Sequence, residues 1–360
     1  MENDKIDKML SDYYSNIEVP MKFNNIKDKI SQPNKNNRKS KYIWQLATIC
    51  VILLTISTVA FGQNIYYFII GSMVDIHEGL ATAVKNNYYA EVNMAYIKSG
   101  DTSLKVDYVL MDDFNLFLCF DIRTFINLTD CRVLLKDMII TDENKNLIFC
   151  DDKNTYEKFC KKNGLEIVGI PRATHTDDGY GIETLEQDEN GIKVLYKLYS
   201  EGYPHCKELN IEINTIILKG REDVIEKNGE WKIKLKLPEE FYSRENIYYK
   251  VKDGSDEKNN IKIDEVIVSN TQTVVKYTGK NEDNLNENDC NMRIENENGE
   301  NFEYSAINDG YGIIYSSDGT YKNSVPFSLT KYKATDKIYL FITQNGKEYK
   351  INLEREYEKK

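Results

Sequence analysis

Histidine is scarce in this chain. There are three in 360 residues, His77, His175 and His205, and no two stand at the spacing a metal site uses. No Cys-x-x-Cys pair completes a zinc site with His205-Cys206, and no Asp-x-Asp-x-Asp-Gly loop supports calcium at Asp151-Asp152 or Asp177-Asp178, which read as solvated acidic turns. A Gly-x-Ser-x-Gly elbow and a Gly-rich phosphate loop are both missing, which disfavours an exported hydrolase or a nucleotide-binding protein. Positive charge is in deficit too: 47 Lys and Arg against 58 Asp and Glu leave −11, the wrong sign for a protein that works by neutralising nucleic-acid phosphates. The expectation is a binding or regulatory protein, not an enzyme, with no cofactor, no metal and no direct nucleic-acid partner.

What is present begins with an ordinary globular composition, 41% hydrophobic and 29% charged, over a length that suggests two or three domains. From Tyr42 to Gly62 runs a stretch without one charge; its 21 residues reach about 31 Å as a helix, enough for one bilayer core. Lys35, Arg38, Lys39 and Lys41 precede it, and only Asp75, His77 and Glu78 follow closely, so the positive-inside bias puts the N-terminus in the cytoplasm. Tyr42 and Trp44 at one end and Tyr66, Tyr67 and Phe68 beyond the other suit the headgroup level. Ala60-Phe61-Gly62 also has the form that signal peptidase cuts, but the 41 preceding residues are long for a leader, and retention as an anchor is the expectation. Residues 1–41 hold nine Lys and Arg against six Asp and Glu, +3, which leaves −14 for the rest. The expected layout is a single-pass protein of the cell membrane with a short tail inside and an acidic body outside.

Within the tail, Ile6, Met9, Leu10, Tyr13, Tyr14 and Ile17 fall on one face of a helix that Pro20 ends. Phe23, Ile26 and Ile30 form a second, shorter helical pattern, closed by Ser31-Gln32-Pro33-Asn34. So short a segment cannot bury enough apolar surface alone, and its faces need a partner. Asp7, Asp12, Glu18 and Asp28 argue against an anionic leaflet as that partner, leaving a protein groove with these nine side chains as anchors.

After the span, residues 75–88 suit a short helix with Ile76, Leu80, Ala83 and Val84 on one side, and everything later reads as β. Leu104, Val106, Tyr108 and Leu110 alternate; 116–120, 192–198, 209–218, 231–237 and 261–268 are further strands. Asn163-Gly164, Asn190-Gly191, Asn228-Gly229, Asn298-Gly299 and Asn345-Gly346 suit tight hairpins. The polar stretch 252–256 looks like a connection to a second β unit. The expected fold is a mainly β ectodomain of two tandem β-sandwich-like units, with one transmembrane helix and a short helical cytoplasmic tail. Its divisions are 1–41 tail, 42–62 span, 63–240 membrane-proximal β-rich region and 241–360 C-terminal β-sandwich.

Six of the seven cysteines, 119, 131, 150, 160, 206 and 290, lie beyond the span, where disulfides can form; Cys50 lies within it. Cys150 and Cys160, flanking a short polar loop, are the best-placed pair, and free buried thiols are the competing expectation.

His77–Asn93, HEGLATAVKNNYYAEVN, followed by Leu104–Ile122, LKVDYVLMDDFNLFLCFDI, resembles the membrane-proximal ectodomain of single-span anti-sigma factors of low-GC Gram-positive bacteria. There a helix ending in Gly-Leu-x-x-Ala-Val precedes a strand pair; Asn86-Asn87 stands where that family commonly has Asn-Gly. Ile261–Gly279, IKIDEVIVSNTQTVVKYTG, similarly resembles the opening strand pair of an immunoglobulin-like domain found at the C-terminus of such proteins. The likeness spans about residues 5–130 and 245–357, and 131–240 match nothing we can name. The resemblance implies that the tail, with its Val19-Pro20 pair, captures an extracytoplasmic-function sigma factor, that the ectodomain senses an envelope signal, and that a conformational change or an intramembrane or site-1 protease releases it. The rival class is a single-span surface binding or adhesion protein whose tail is only an anchor.

Overall fold

The computed structural model describes residues 78–128, 131–165, 181–200, 202–221, 223–252, 261–280, 291–304, 311–344 and 346–357, all within one compact unit. These residues are mainly β, arranged in several antiparallel sheets around two cores. Among them no helix is long and apolar enough to cross a membrane; the 42–62 run lies outside the described residues.

The first core is built by helix α1 (Glu78–Lys85) and two sheets. One has the order β1 (Ala90–Glu91), β3 (Thr102–Met111), β4 (Asn115–Thr124), β9 (Gly191–Tyr199), β8 (Gly181–Gln187), with β2 (Ile97–Ser99) also on β3. The other runs β11 (Val224–Lys236), β10 (Glu208–Lys219), β6 (Ile139–Thr141), β7 (Leu147–Cys150), with β5 (Arg132–Lys136) also on β10. Both sheets line one cluster that reaches from Leu80 to Phe241. The unbroken apolar run of β4 fits its place inside the sheet, between β3 and β9, with side chains buried on both faces. The alternation expected along β3 holds only to Val106. Asp107 is the extra residue of a bulge, and beyond it Val109, Leu110 and Met111 are all buried.

Four further expectations are corrected. Residues between Cys150 and Cys160 are not a loop: α2 (Lys153–Asn163) lies there, begun by Asp152, which accepts from Thr155 N at 2.9 Å, and ended by Gly164 at φ 66°. Asn163-Gly164 is thus a helix end and not a hairpin. Asn228-Gly229 is no turn either; it lies inside β11 opposite a register shift, where a Cβ on Gly229 would stand 2.6 Å from Ser99 Oγ and from the Trp231 ring. The polar stretch at 252–256 does not open the second unit, because the strand before it already belongs there.

The second core, Tyr249 to Leu353, lies within one nine-stranded sheet. Its order is β16 (Asn301–Glu303), β15 (Asn291–Asn296), β19 (Lys337–Gln344), β20 (Lys347–Arg355), β12 (Ile247–Val251), β13 (Ile261–Val268), β14 (Thr273–Lys280), β18 (Thr320–Phe327), β17 (Tyr311–Tyr315). The sheet curls on itself: Tyr304, next to β16, bridges Phe327 of β18, and Ser328 N donates to Glu303 O at 3.2 Å. The β19–β20 hairpin pairs in register to Gln344 and Lys347 around Gly346 at φ 71°, as its Asn-Gly pair predicts. Between the modules the chain runs through the short helix α3 (Glu239–Tyr242) and Arg244.

Candidate functional site

Every partner-binding residue expected in the tail (Ile6, Met9, Leu10, Tyr13, Tyr14, Ile17, Phe23, Ile26, Ile30) lies outside the described residues, as do His77, His175, Asp177-Asp178, Cys50 and Cys290. The polar groups that converge most densely among the described ones meet at the junction of the two β modules.

Asp112 and Asp113 sit on the turn between β3 and β4. Asp112 is fully buried, and five donors serve its carboxylate: Phe114 N and Asn115 N at 2.9 Å from its own turn, and Ser269 Oγ at 2.7 Å, Thr271 N at 2.9 Å and Thr271 Oγ1 at 2.5 Å from the β13–β14 turn of the second module. A buried charge is tolerated only with this kind of satisfaction. It also explains why five consecutive polar residues, Ser269 to Thr273, can be buried: they form the tight turn Ser269 N to Gln272 O at 2.8 Å and plug into the first module. Phe114, Ile267 and Val274 form an apolar contact beside it.

Asp113 faces the connection between the modules. It accepts from Arg244 and Asn246 and lies 3.2 Å from His205 Nε2. The Arg244 side chain is 0% exposed and donates also to the carbonyls of Phe241, Tyr203 at 2.9 Å and Pro204 at 3.3 Å, so removing Asp113 leaves a buried cation without its counter-charge. Beside this pair opens a cleft of about 320 Å³ lined by Asp113, Phe114, Tyr203, His205, Asn246 and Tyr248 among others. Its lining holds an acid–base pair but no serine, threonine or cysteine. His205, for which the sequence offers no completing zinc ligands, stands beside Asp113, and among the described residues no group of three ligating side chains forms.

The described cysteines, 119, 131, 150, 160 and 206, are free. Cys150 and Cys160 share a small buried cluster with Tyr156 and Phe159 under α2, and burial pushes the Cys150 thiol up to about 12 and that of Cys206 up to about 11. Cys119 is a buried strand residue whose thiol burial also raises to about 12. Such thiols pack as small apolar groups. Asp151 and Asp152 are not solvated: Asp152 caps α2, and burial pushes Asp151 up to about 6.

Sequence reasoning missed the junction, although both halves lie inside the stretches that carry the family resemblance. The signal was there as Asp112-Asp113 between two apolar strands, and as a polar run at 269–273 with no glycine to mark an exposed turn.

No family model matches the chain, and no curated protein matches it. Among solved structures it is similar to a conserved domain protein from Bacillus anthracis, 12% identical, covering 75% of this chain and 90% of that one at a TM-score of 0.42. It is similar also to bovine butyrophilin, 10% identical, covering 68% and 93% at a TM-score of 0.16. Likeness at this level carries no argument about function.

Proposed function

We propose that this protein is a membrane-anchored anti-sigma factor, whose tail sequesters an extracytoplasmic-function sigma factor at the inner membrane face and whose β body outside responds to an envelope signal. One observation carries the reading: an uncharged run at 42–62, closely flanked by lysine and arginine on its N-terminal side alone, joins an amphipathic face too small to fold alone to a large acidic β-rich part. A body built mainly of β-sheet supports the layout, and the second module is the part we read as immunoglobulin-like. The family resemblance supplies the class of partner. Release follows a conformational change or cleavage by an intramembrane or site-1 protease.

The test is expression of genes under the cognate sigma factor. Each apolar anchor is worth about 1.5–3 kcal/mol when buried, so replacing Leu10 and Tyr13 together by Ser removes several kcal/mol of binding and raises expression without any external stimulus. Unchanged expression in that variant would count against sequestration and favour a surface binding or adhesion protein, for which deleting residues 1–30 leaves function intact.

A further inference from the structure

The two modules meet along contacts that share residues. Helix α1 belongs to the first core through Leu80, Ala83 and Val84, yet Glu78 at its start reaches the second module, 3.1 Å from Lys333 Nζ and 3.4 Å from Ser328 Oγ. Tyr88, just past the helix, donates to Met111 O at 2.7 Å, next to Asp112, and packs on Phe241 with ring centroids 5.0 Å apart. Lys331 Nζ lies 5.6 Å from the centre of the Tyr88 ring, and Lys331 N donates to Ser269 O at 2.9 Å. Ser269 is the residue whose hydroxyl holds Asp112. The segment 328–333 therefore grips α1 through Ser328 and Lys333 at its two ends and the 269–272 turn through Lys331 between them.

We propose that α1 and the turn that follows it to Tyr88 are held by both modules at once, through Glu78 and through a closed circuit of Asp112, Ser269, Lys331, Tyr88 and Met111 that Tyr88 N joins to Ala83 O, so that parting the second module from Asp112 loosens α1. The Asp112 carboxylate has no access to water while the junction is shut, and it cannot lose its three donors from the second module singly without leaving a buried charge short of partners. Opening is then cooperative, and Tyr88 loses its cover of Lys331 in the same event. In sequence α1 is the described element nearest the 42–62 run. The inference does not depend on whether the tail holds a sigma factor.

Amide hydrogen exchange on the full chain in detergent tests it, because local opening is read residue by residue. Thr271→Val, which removes one hydroxyl at nearly constant volume, and Asp112→Asn should each speed exchange of amides 80–88 at least tenfold, with β19 and β20 unchanged. Coupling is reciprocal, so Lys333→Ala should speed exchange in the 269–272 turn. Exchange that quickens at 269–272 while 80–88 keep their protection overturns the proposal, and so does no change at either place. Should Asp112→Asn lose protection in β19 and β20 as well, Thr271→Val and Lys333→Ala decide by the same criteria.

Discussion

Single carboxylates in this protein do unlike work depending on burial, and burial is what a sequence shows least. Asp112, Asp151 and Asp152 all stand beside another aspartate, yet one joins two modules, one is pushed by burial to ionise only near pH 6 and one caps a helix. Asp151 makes a clear prediction. Its folded value of about 6 lies above the usual 3.8 because burial disfavours the charged form. The stability it contributes is therefore complete below about pH 4 and is lost as the pH rises through 6. Asp151→Asn, neutral throughout, should match the parent near pH 4 and exceed it at pH 7 by on the order of 2–3 kcal/mol, measured by urea unfolding across that range. A variant equally stable at both pH values relative to the parent would mean the carboxyl ionises freely. The buried thiols carry a parallel lesson: Cys119 was legible as a core residue because it sits in an apolar strand, whereas Cys160 was not, since its helix was read as loop.

Among the elements, periodic strands were legible and interruptions were not. The sequence of α2, KNTYEKFCKKN, offers only three apolar side chains, Tyr156, Phe159 and Cys160, to the interior beside Thr155, too few to announce a helix, and its two end signals, Asp152 and Gly164, each have a turn reading as well. The cap is worth about 1 kcal/mol, so Asp152→Ala should lower stability by that amount and selectively speed exchange in the first turn of α2. Glycine inside β11 misled for a physical reason: Asn-Gly favours a hairpin locally, but β10 supplies a partner along the whole of β11, and the pair becomes a bulge. Gly229→Ala should cost roughly 2–3 kcal/mol, since Ser99 and the packed Trp231 ring occupy the space of the new methyl. Gly346→Ala, with open space around it but φ 71°, should cost about 1 kcal/mol through backbone conformation alone. Calorimetry of the two variants separates packing from backbone.

For the whole molecule, length pointed to more than one unit and strand alternation to a mainly β body, and the described part is mainly β with several sheets. The polar stretch near 252–256 drew attention because it looks like a linker, but β12 before it and β13 after it pair in one sheet, so it is a connection within the second module. The passage between cores runs instead through α3 and the buried Arg244, a segment without glycine whose one serine, Ser243, is tied to Glu239 O as the end of α3. A junction so built argues for modules that act together, as the proposed sensing role requires. The anchors proposed for capture, Ile6, Leu10, Tyr13 and Ile17, belong to the tail.

Capture of a sigma factor tests this most directly. Purified full-length protein and its Ile6/Leu10/Tyr13/Ile17-to-Ser variant, both in detergent, are each mixed with cytosol, and the retained proteins are identified. Sequestration predicts an extracytoplasmic-function sigma factor bound to the parent and lost from the variant, with amide protection of the β modules unchanged. Retention of no sigma factor by the parent, or equal retention by both proteins, would contradict it.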